Sequence, residues 1–216
     1  SDVCSSDLTQ TSNIGDTNAG QVGTGGTVGF DAIALALFDK PEIEINANSN
    51  VGLTIDGHAS DITISGLAIY NATHGVDVLA GSGTGNFVTD MFIGLRADGS
   101  APIAAERSTS HGIAIESGAS FGVTHSYIGH NGKSGILAIE PSATVTIEYN
   151  EVLANGWNSI DHEGIDLDGM NSIVRFNLIY GTTTSSGVEE PSGGNGIELG
   201  STTDPTGQNL VENNTV

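Results

Sequence analysis

From Glu42 onward, apolar residues arrive in short alternating bursts. EIEINA, Glu42–Ala47, alternates cleanly, and a period of two predicts a strand with one buried face. The same alternation returns behind a glycine in GVDVLA from Gly75, GIAIES from Gly112, GILAIE from Gly135, GIDLDG from Gly164 and GIELGS from Gly196, at steps of 37, 23, 29 and 32 residues. A second pattern places apolar residues at both ends of a hexapeptide: ISGLAI from Ile64, VTDMFI from Val88, VTHSYI from Val123, IEYNEV from Ile147, VRFNLI from Val174 and VENNTV from Val211. Two patterns advancing together predict a repeat of about two dozen residues that holds at least two strands and their turns.

One such unit closes only part of a hydrophobic cross-section. Stacking units at ~4.8 Å lets backbone hydrogen bonds run along the stack while Ile, Val and Leu pile up inside. The expected fold is therefore all-β, a single-stranded parallel β-helix of about six coils between Val51 and Val216, with two longer loop excursions at 94–110 and 181–195. The fourth position of the hexapeptide reads Leu67, Met91, Ser126, Asn150, Asn177 and Asn214. Stacked amides can bond to one another, so the asparagines are expected to form a structural ladder. ALALFDKP is open between a short capping helix and an extended segment, and Pro41 ends either one.

Composition agrees: 31 Gly in 216 residues, 37% apolar and 5% aromatic residues fit many short strands and turns rather than a helical bundle. Charge changes the picture more. There are 26 acidic residues against five bases, Lys40, Arg96, Arg107, Lys133 and Arg175, for a net charge of -21. That balance argues against nucleic acid, anionic membrane and unmediated polyuronate as partners and favours cations. No apolar run reaches the ~20 residues of a spanning helix, so no membrane insertion is expected. Cys4 is the only cysteine, which excludes an internal disulfide.

The opening SDVCSSDL, residues 1–8, reads as sequencing-adaptor translation and is set aside. Residues 9–50 are expected to be an irregular or capping segment ending in the first strand, and 51–216 the β-helix, truncated at its C-terminus. TIDG at Thr54–Gly57, ITISGLAI at Ile62–Ile69 and MFIGLRADGSAPI at Met91–Ile103 carry a family resemblance. The last resembles an Asn-Tyr-Ile-Gly-Thr-Asp-x-x-Gly-Thr unit, from which Leu95 and Arg96 depart. On these motifs the chain resembles the right-handed parallel β-helix repeat proteins of bacterial secreted and surface polypeptides, in the pectate-lyase-like superfamily. The resemblance implies right-handed coils and an extracellular or cell-surface location. It leaves activity open, since adhesin-like stalks, lyases, epimerases and glycosidases share this repeat.

Chemistry concentrates at GIDLDG and the DHE before it. Asp166 and Asp168 lie two apart on one strand, with α-carbons ~7 Å apart on one face. That spacing suits the acid and base of an inverting glycosidase. With Asp161 and His162 they form the candidate catalytic set. The Gly-His-Gly and Arg-x-Lys elements of polygalacturonases are not found, and the DHE resembles the Asp-Pro-His of alginate epimerases without its proline. Aligned by eye, the outward positions form one column of Asp77, Ala114, Ala138, Asp166 and Glu198 and another of Leu79, Glu116, Glu140, Asp168 and Gly200. Hard cations take several oxygen ligands, so Glu116, Glu140, Asp166, Asp168 and Glu198 form a candidate calcium site, the alternative being a solvated acidic face. No other cofactor is expected. His74 and His111 precede anchoring glycines and read as turn residues. Trp157 with Tyr149 and Tyr180 is a candidate sugar-stacking patch. Two function classes follow: a structural, adhesive or carbohydrate-contacting solenoid whose partner is an extracellular polysaccharide or cell-surface glycan, or a polysaccharide-active enzyme, a lyase, epimerase or glycosidase, using the Asp161–Asp168 cluster.

Overall fold

The computed structural model describes residues 20–116, 118–138, 144–158, 162–168, 171–181, 194–200 and 208–216. Three parallel sheets of six strands each run its length. Sheet I holds Ile43–Asn50, Leu67–Ala72, Phe92–Ile93, Tyr127–Gly129, Glu151–Leu153 and Leu178–Tyr180. Sheet II holds Leu53–Ile55, Val76–Val78, Ile113–Ile115, Ile136–Ala138, Ile165–Leu167 and Ile197–Leu199. Sheet III holds Thr63–Ser65, Asn86–Thr89, Ser120–Thr124, Thr144–Glu148, Ile173–Arg175 and Leu210–Glu212. The chain visits I, II and III in turn six times, which makes six coils of a right-handed parallel β-helix. The glycine-led pattern is sheet II, and the hexapeptide spans the corner from sheet III to sheet I.

Registry follows the apolar columns. Val88, Val123, Ile147, Val174 and Val211 pair in sequence across sheet III, and Val76, Ile113, Ile136, Ile165 and Ile197 across sheet II. Their side chains fill the lumen, where Ile113, Ile136, Ile147, Ile165 and Val174 are wholly buried. Each such side chain contributes roughly 1.5–3 kcal/mol.

The corner from sheet III to sheet I is turned by one residue of positive φ in every coil: Gly66, Asp90, His125, Tyr149, Phe176 and Asn213, at 43–69°. Directly after it stands the expected ladder. Asn150 Nδ2 donates to Asn177 Oδ1 at 3.0 Å, and Asn177 Nδ2 to Asn214 Oδ1 at 2.9 Å. Ser126 and Asn150 also receive or give backbone bonds to the next rung. A second amide rung joins Asn131 Nδ2 to Asn155 Oδ1 at 3.0 Å, at the corner from sheet I to sheet II.

ALALFDKP is extended. Gln21–Val22 pairs antiparallel with Phe38–Asp39, and Thr27–Val28 with Ile33–Ala34. This double strap lies along the outer side of sheet I instead of across an end of the helix. Phe38 stacks on Tyr127 with ring centroids 5.5 Å apart, and Val28, Leu35, Phe92 and Leu95 complete a second, outer core. At the far end, Gly29 N donates to Thr215 Oγ1 at 3.0 Å and Asn213 Nδ2 to Asp31 Oδ2 at 2.8 Å.

Candidate functional site on the outer face of sheet II

Among the described residues, the candidates Asp166 and Glu198 lie on the strands of sheet II. In its strands the inward residues are apolar, so the alternation forces the residue between them outward. Paired in register, the outward column reads Asp77, Ala114, Leu137, Asp166 and Glu198. This corrects the alignment by eye, which put Ala138 in that column. Ala138 pairs with Ile115 and Leu167 and is wholly buried. A one-residue slip moves a side chain to the opposite face, and GILAIE offers apolar residues at four consecutive places, so alternation cannot fix its phase. The expected run of three acids, Glu116, Glu140 and Asp168, loses its basis with that slip. Glu140 and Asp161 themselves lie outside the described residues.

Asp166 and Asp168 do share the face. Asp168 reaches over Gly200 of the next coil, where an added Cβ would meet its Oδ1 at 1.7 Å. Glycine at 200 is what leaves room for that carboxylate. The residue closest to Asp166 in chemistry is one the candidate set omitted: Glu163, which is only 4% exposed. Its carboxyl is hydrogen-bonded to Asp166 and to Glu198. Asn195 Nδ2 donates to Glu198 Oε2 at 2.9 Å, and the Ser134 hydroxyl touches Glu163 Oε2 at 3.5 Å. Among the described residues no cation pairs with any of these carboxyls.

Electrostatics follows from that crowding. Burial first, then the charge of Asp166 and the bond to Glu198, push Glu163 up to about 8. Burial, followed by the charges of Asp168 and Glu198, pushes Asp166 up to about 6, and the bond from Glu163 acts in the opposite direction. Two carboxyls sharing a proton cannot both ionise easily. Near neutral pH the two carboxyls therefore hold one proton between them and titrate as a unit.

His162 turns away from this cluster. Its ring stands edge-on to His111 at 5.6 Å, and His111 lies 5.8 Å from His74. His74 Nδ1 faces Asp77 at 3.6 Å. The histidines thus occupy coils two to five along the sheet I to sheet II corner, as turn residues, beside the acids and not among them.

Of the candidate calcium ligands, Glu116, Asp166, Asp168 and Glu198 lie among the described residues. Glu116 Oε2 accepts from Ala80 N at 3.1 Å, one coil toward the N-terminus. Among the described residues no group of three or more His, Cys, Asp or Glu side chains is placed to hold a metal ion. The aromatic patch does not assemble either. Tyr149 packs on Phe176 at 5.0 Å, and Tyr180 OH donates to Glu151 at 2.6 Å, both on the sheet I side. Trp157 spends its indole N–H on Ser108 O and His130 O at the other corner. The 94–110 loop begins on the strap side, with Arg96 held by Glu44 and Glu106, and reaches the sheet II corner only at its end. The 181–195 loop lies mostly outside the described residues.

A signal for Glu163 was present in the sequence. The residue before each anchoring glycine reads His74, His111, Ser134, Glu163 and Asn195, and Glu163 is its one acid. The column read as turn residues because nothing in the spacing showed that this corner folds back over Asp166.

A search of curated proteins and of solved structures returned no match. The sequence profile of the family described as right handed beta helix region matches residues 43–216, which takes in all six coils and leaves out the strap. Family and architecture agree coil by coil: the chain belongs to the right-handed β-helix family.

Proposed function

We infer that this chain is a carbohydrate-contacting solenoid of the cell exterior and that the outer face of sheet II is its contact surface. One observation carries the reading: Glu163, Asp166, Asp168 and Glu198 crowd one end of that face with no cation among the described residues to balance them. Four other carboxyls have an arginine beside them, Glu44 and Glu106 at Arg96, and Glu148 and Glu212 at Arg175. Four carboxyls gathered on one face, two of them with raised pKa values, are the kind of cluster that marks a functional site. Carboxyl groups on a rigid ladder accept hydrogen bonds from the hydroxyls of a sugar, and the flat, regular face suits an extended chain. The extracellular location rests on the family resemblance.

A specific observation favours the enzyme as a second reading. Glu163 and Asp166 hold one proton between them, so one can give a proton while the other takes one, at hydrogen-bond separation and so closer than the two carboxyls of a glycosidase. Asp166 then accepts a proton from the substrate and Glu163 returns one, the proton exchange that an epimerase centre carries out. This assignment replaces His162, whose ring faces His111.

A panel of bacterial, plant and algal oligosaccharides, scored for binding and for new reducing ends or unsaturated products, separates the readings. Binding without turnover supports the contact surface, and turnover lost in Glu163→Gln supports the enzyme. If the parent protein neither binds nor turns over any member, both readings fail.

A further inference from the structure

We propose that the outer face of sheet III is an interface on which a second copy of this chain pairs back to back about a two-fold axis. The inference goes beyond the carbohydrate reading and leaves sheet II clear of the contact.

Charge separates the outer sides of the three sheets. The strap packs over sheet I. The strands of sheet II carry Asp77, Asp166 and Glu198 and no basic residue. On the strands of sheet III only Glu148, Arg175 and Glu212 are charged. These three compensate one another, with Arg175 Nε donating to Glu148 Oε1 at 2.6 Å and Arg175 Nη1 3.6 Å from Glu212 Oε1. In a chain of net charge -21, two copies repel wherever unbalanced acids face each other. The outer face of sheet III is where they can meet with that repulsion at its smallest.

The second observation is independent of charge. Val88, Val123, Ile147 and Val174 fill the lumen, so the residue before each points outward. In register that outward column reads Thr63, Phe87, Gly122, Thr146, Ile173 and Leu210. A sheet face turned to water ordinarily carries polar side chains, yet Phe87 is 41% exposed here and Leu210 is exposed as well. The Phe87 ring lies over Gly122, where an added Cβ would meet its Cδ1 at 2.1 Å. A ring resting on a neighbouring backbone loses little freedom when a partner covers it. The column is also complementary to itself. A two-fold axis between the third and fourth coils sets Phe87 opposite the partner's Ile173, Thr63 opposite the partner's Leu210 and Gly122 opposite the partner's Thr146, as an isologous contact requires. The face spans about 24 Å across its strands and about 10–17 Å along them, the size of a weak, reversible contact.

Sedimentation velocity over about 5–500 µM protein tests this, using the parent chain, Phe87→Lys, Ile173→Lys and, as a control on sheet II, Asp77→Lys. Thermal midpoints check that each variant is folded, and either sheet III variant suffices alone. We expect a monomer–dimer equilibrium in the parent that tightens as salt rises from about 0.1 to about 1 M, because screening removes the repulsion between like-charged copies. Each sheet III variant should weaken dimerisation by about tenfold or more, although both reduce the negative charge and so cannot act by added repulsion. Asp77→Lys should leave the dimer in place. A parent that stays monomeric at every concentration and salt overturns the proposal, as does an undiminished dimer in both folded sheet III variants or a dimer that salt dissociates. Species that grow without limit overturn it too, since they mark stacking through open strand edges in place of a closed pair.

Discussion

Asn150 Nδ2 lies 3.0 Å from Asn177 Oδ1, one coil away, and the same Asn177 Oδ1 takes the backbone N–H of Asn150 at 2.9 Å. The Asn177 amide in turn donates to Ile147 O, Arg175 O and Asn214 Oδ1. Nothing at this corner is left to water, which is how a wholly buried polar residue becomes structural. Asn177→Ala removes these partners from buried groups and is expected to destabilise by roughly 2–4 kcal/mol. Equilibrium urea unfolding of the variant beside the parent measures it. A loss below about half a kcal/mol would show that the ladder contributes little.

Glu163 supplies a pH signature. Its native pKa is pushed up to about 8 and that of Asp166 to about 6, above their ordinary values of 4.5 and 3.8. A carboxyl whose folded pKa is raised binds its proton more tightly in the folded state, so folding is favoured while it stays protonated. That contribution is full below about pH 4 and is lost as pH rises through 6 and then 8. The thermal midpoint is therefore expected to fall by a few degrees between pH 5 and pH 9 because of this pair. Glu163→Gln, which cannot ionise, should flatten the part of that slope near pH 8. An unchanged slope in the variant contradicts the shared proton.

Register gives a sharper contrast between neighbours. Leu137 is half-buried and outward, between Ala114 and Asp166, whereas Ala138 is wholly buried against Ile115 and Leu167. Leu137→Asp is expected to fold and to push Asp166 still higher by adding a charge beside it. Ala138→Asp places an unpaired carboxylate in the lumen and is expected to prevent folding. Circular dichroism of both variants reads the difference. The opposite result would restore the register first drawn from the sequence.

The strap hangs on a buried carboxylate. Glu151 accepts Thr24 N and Thr24 Oγ1 at 2.7 Å each and Tyr180 OH at 2.6 Å. Burial, together with the bond to Glu151, raises the Tyr180 phenol. Glu151→Ala leaves all three donors unmet and is expected to release the segment around Thr24 while the coils persist. Hydrogen exchange should show protection lost at 20–40 and kept in sheet II. Loss spread evenly through the coils would mean that the strap and the helix fold as one unit.

What the sequence disclosed depended on periodicity. Gly112, Gly164 and Gly196 each precede one clean alternation, so sheet II and its buried columns were legible, as was the asparagine ladder. Sheet I was not separated as a strand of its own, because Phe92–Ile93 and its neighbours bury both faces once the strap covers the outer one. That same cover hid the role of ALALFDKP, whose Leu35 and Phe38 pack on Phe92, Leu95 and Tyr127, far along the sequence. At the site, Asp166 and Asp168 were visible as a pair on one strand. Glu163 was not, since its place beside Asp166 comes from the path of a turn, and turn paths leave no period. Ile136 to Ile139 defeated the alignment for the simplest reason: four apolar residues in a row fit either phase.

The central claim is that the outer face of sheet II contacts carbohydrate through its bare acid cluster. Titration of the best-bound oligosaccharide into the parent protein and into Asp166→Asn with Asp168→Asn tests it most directly. The account predicts saturable binding by the parent and a loss of about tenfold or more in the double variant, with its thermal midpoint unchanged or raised. Equal affinity in the two proteins would place the sugar elsewhere and contradict the account.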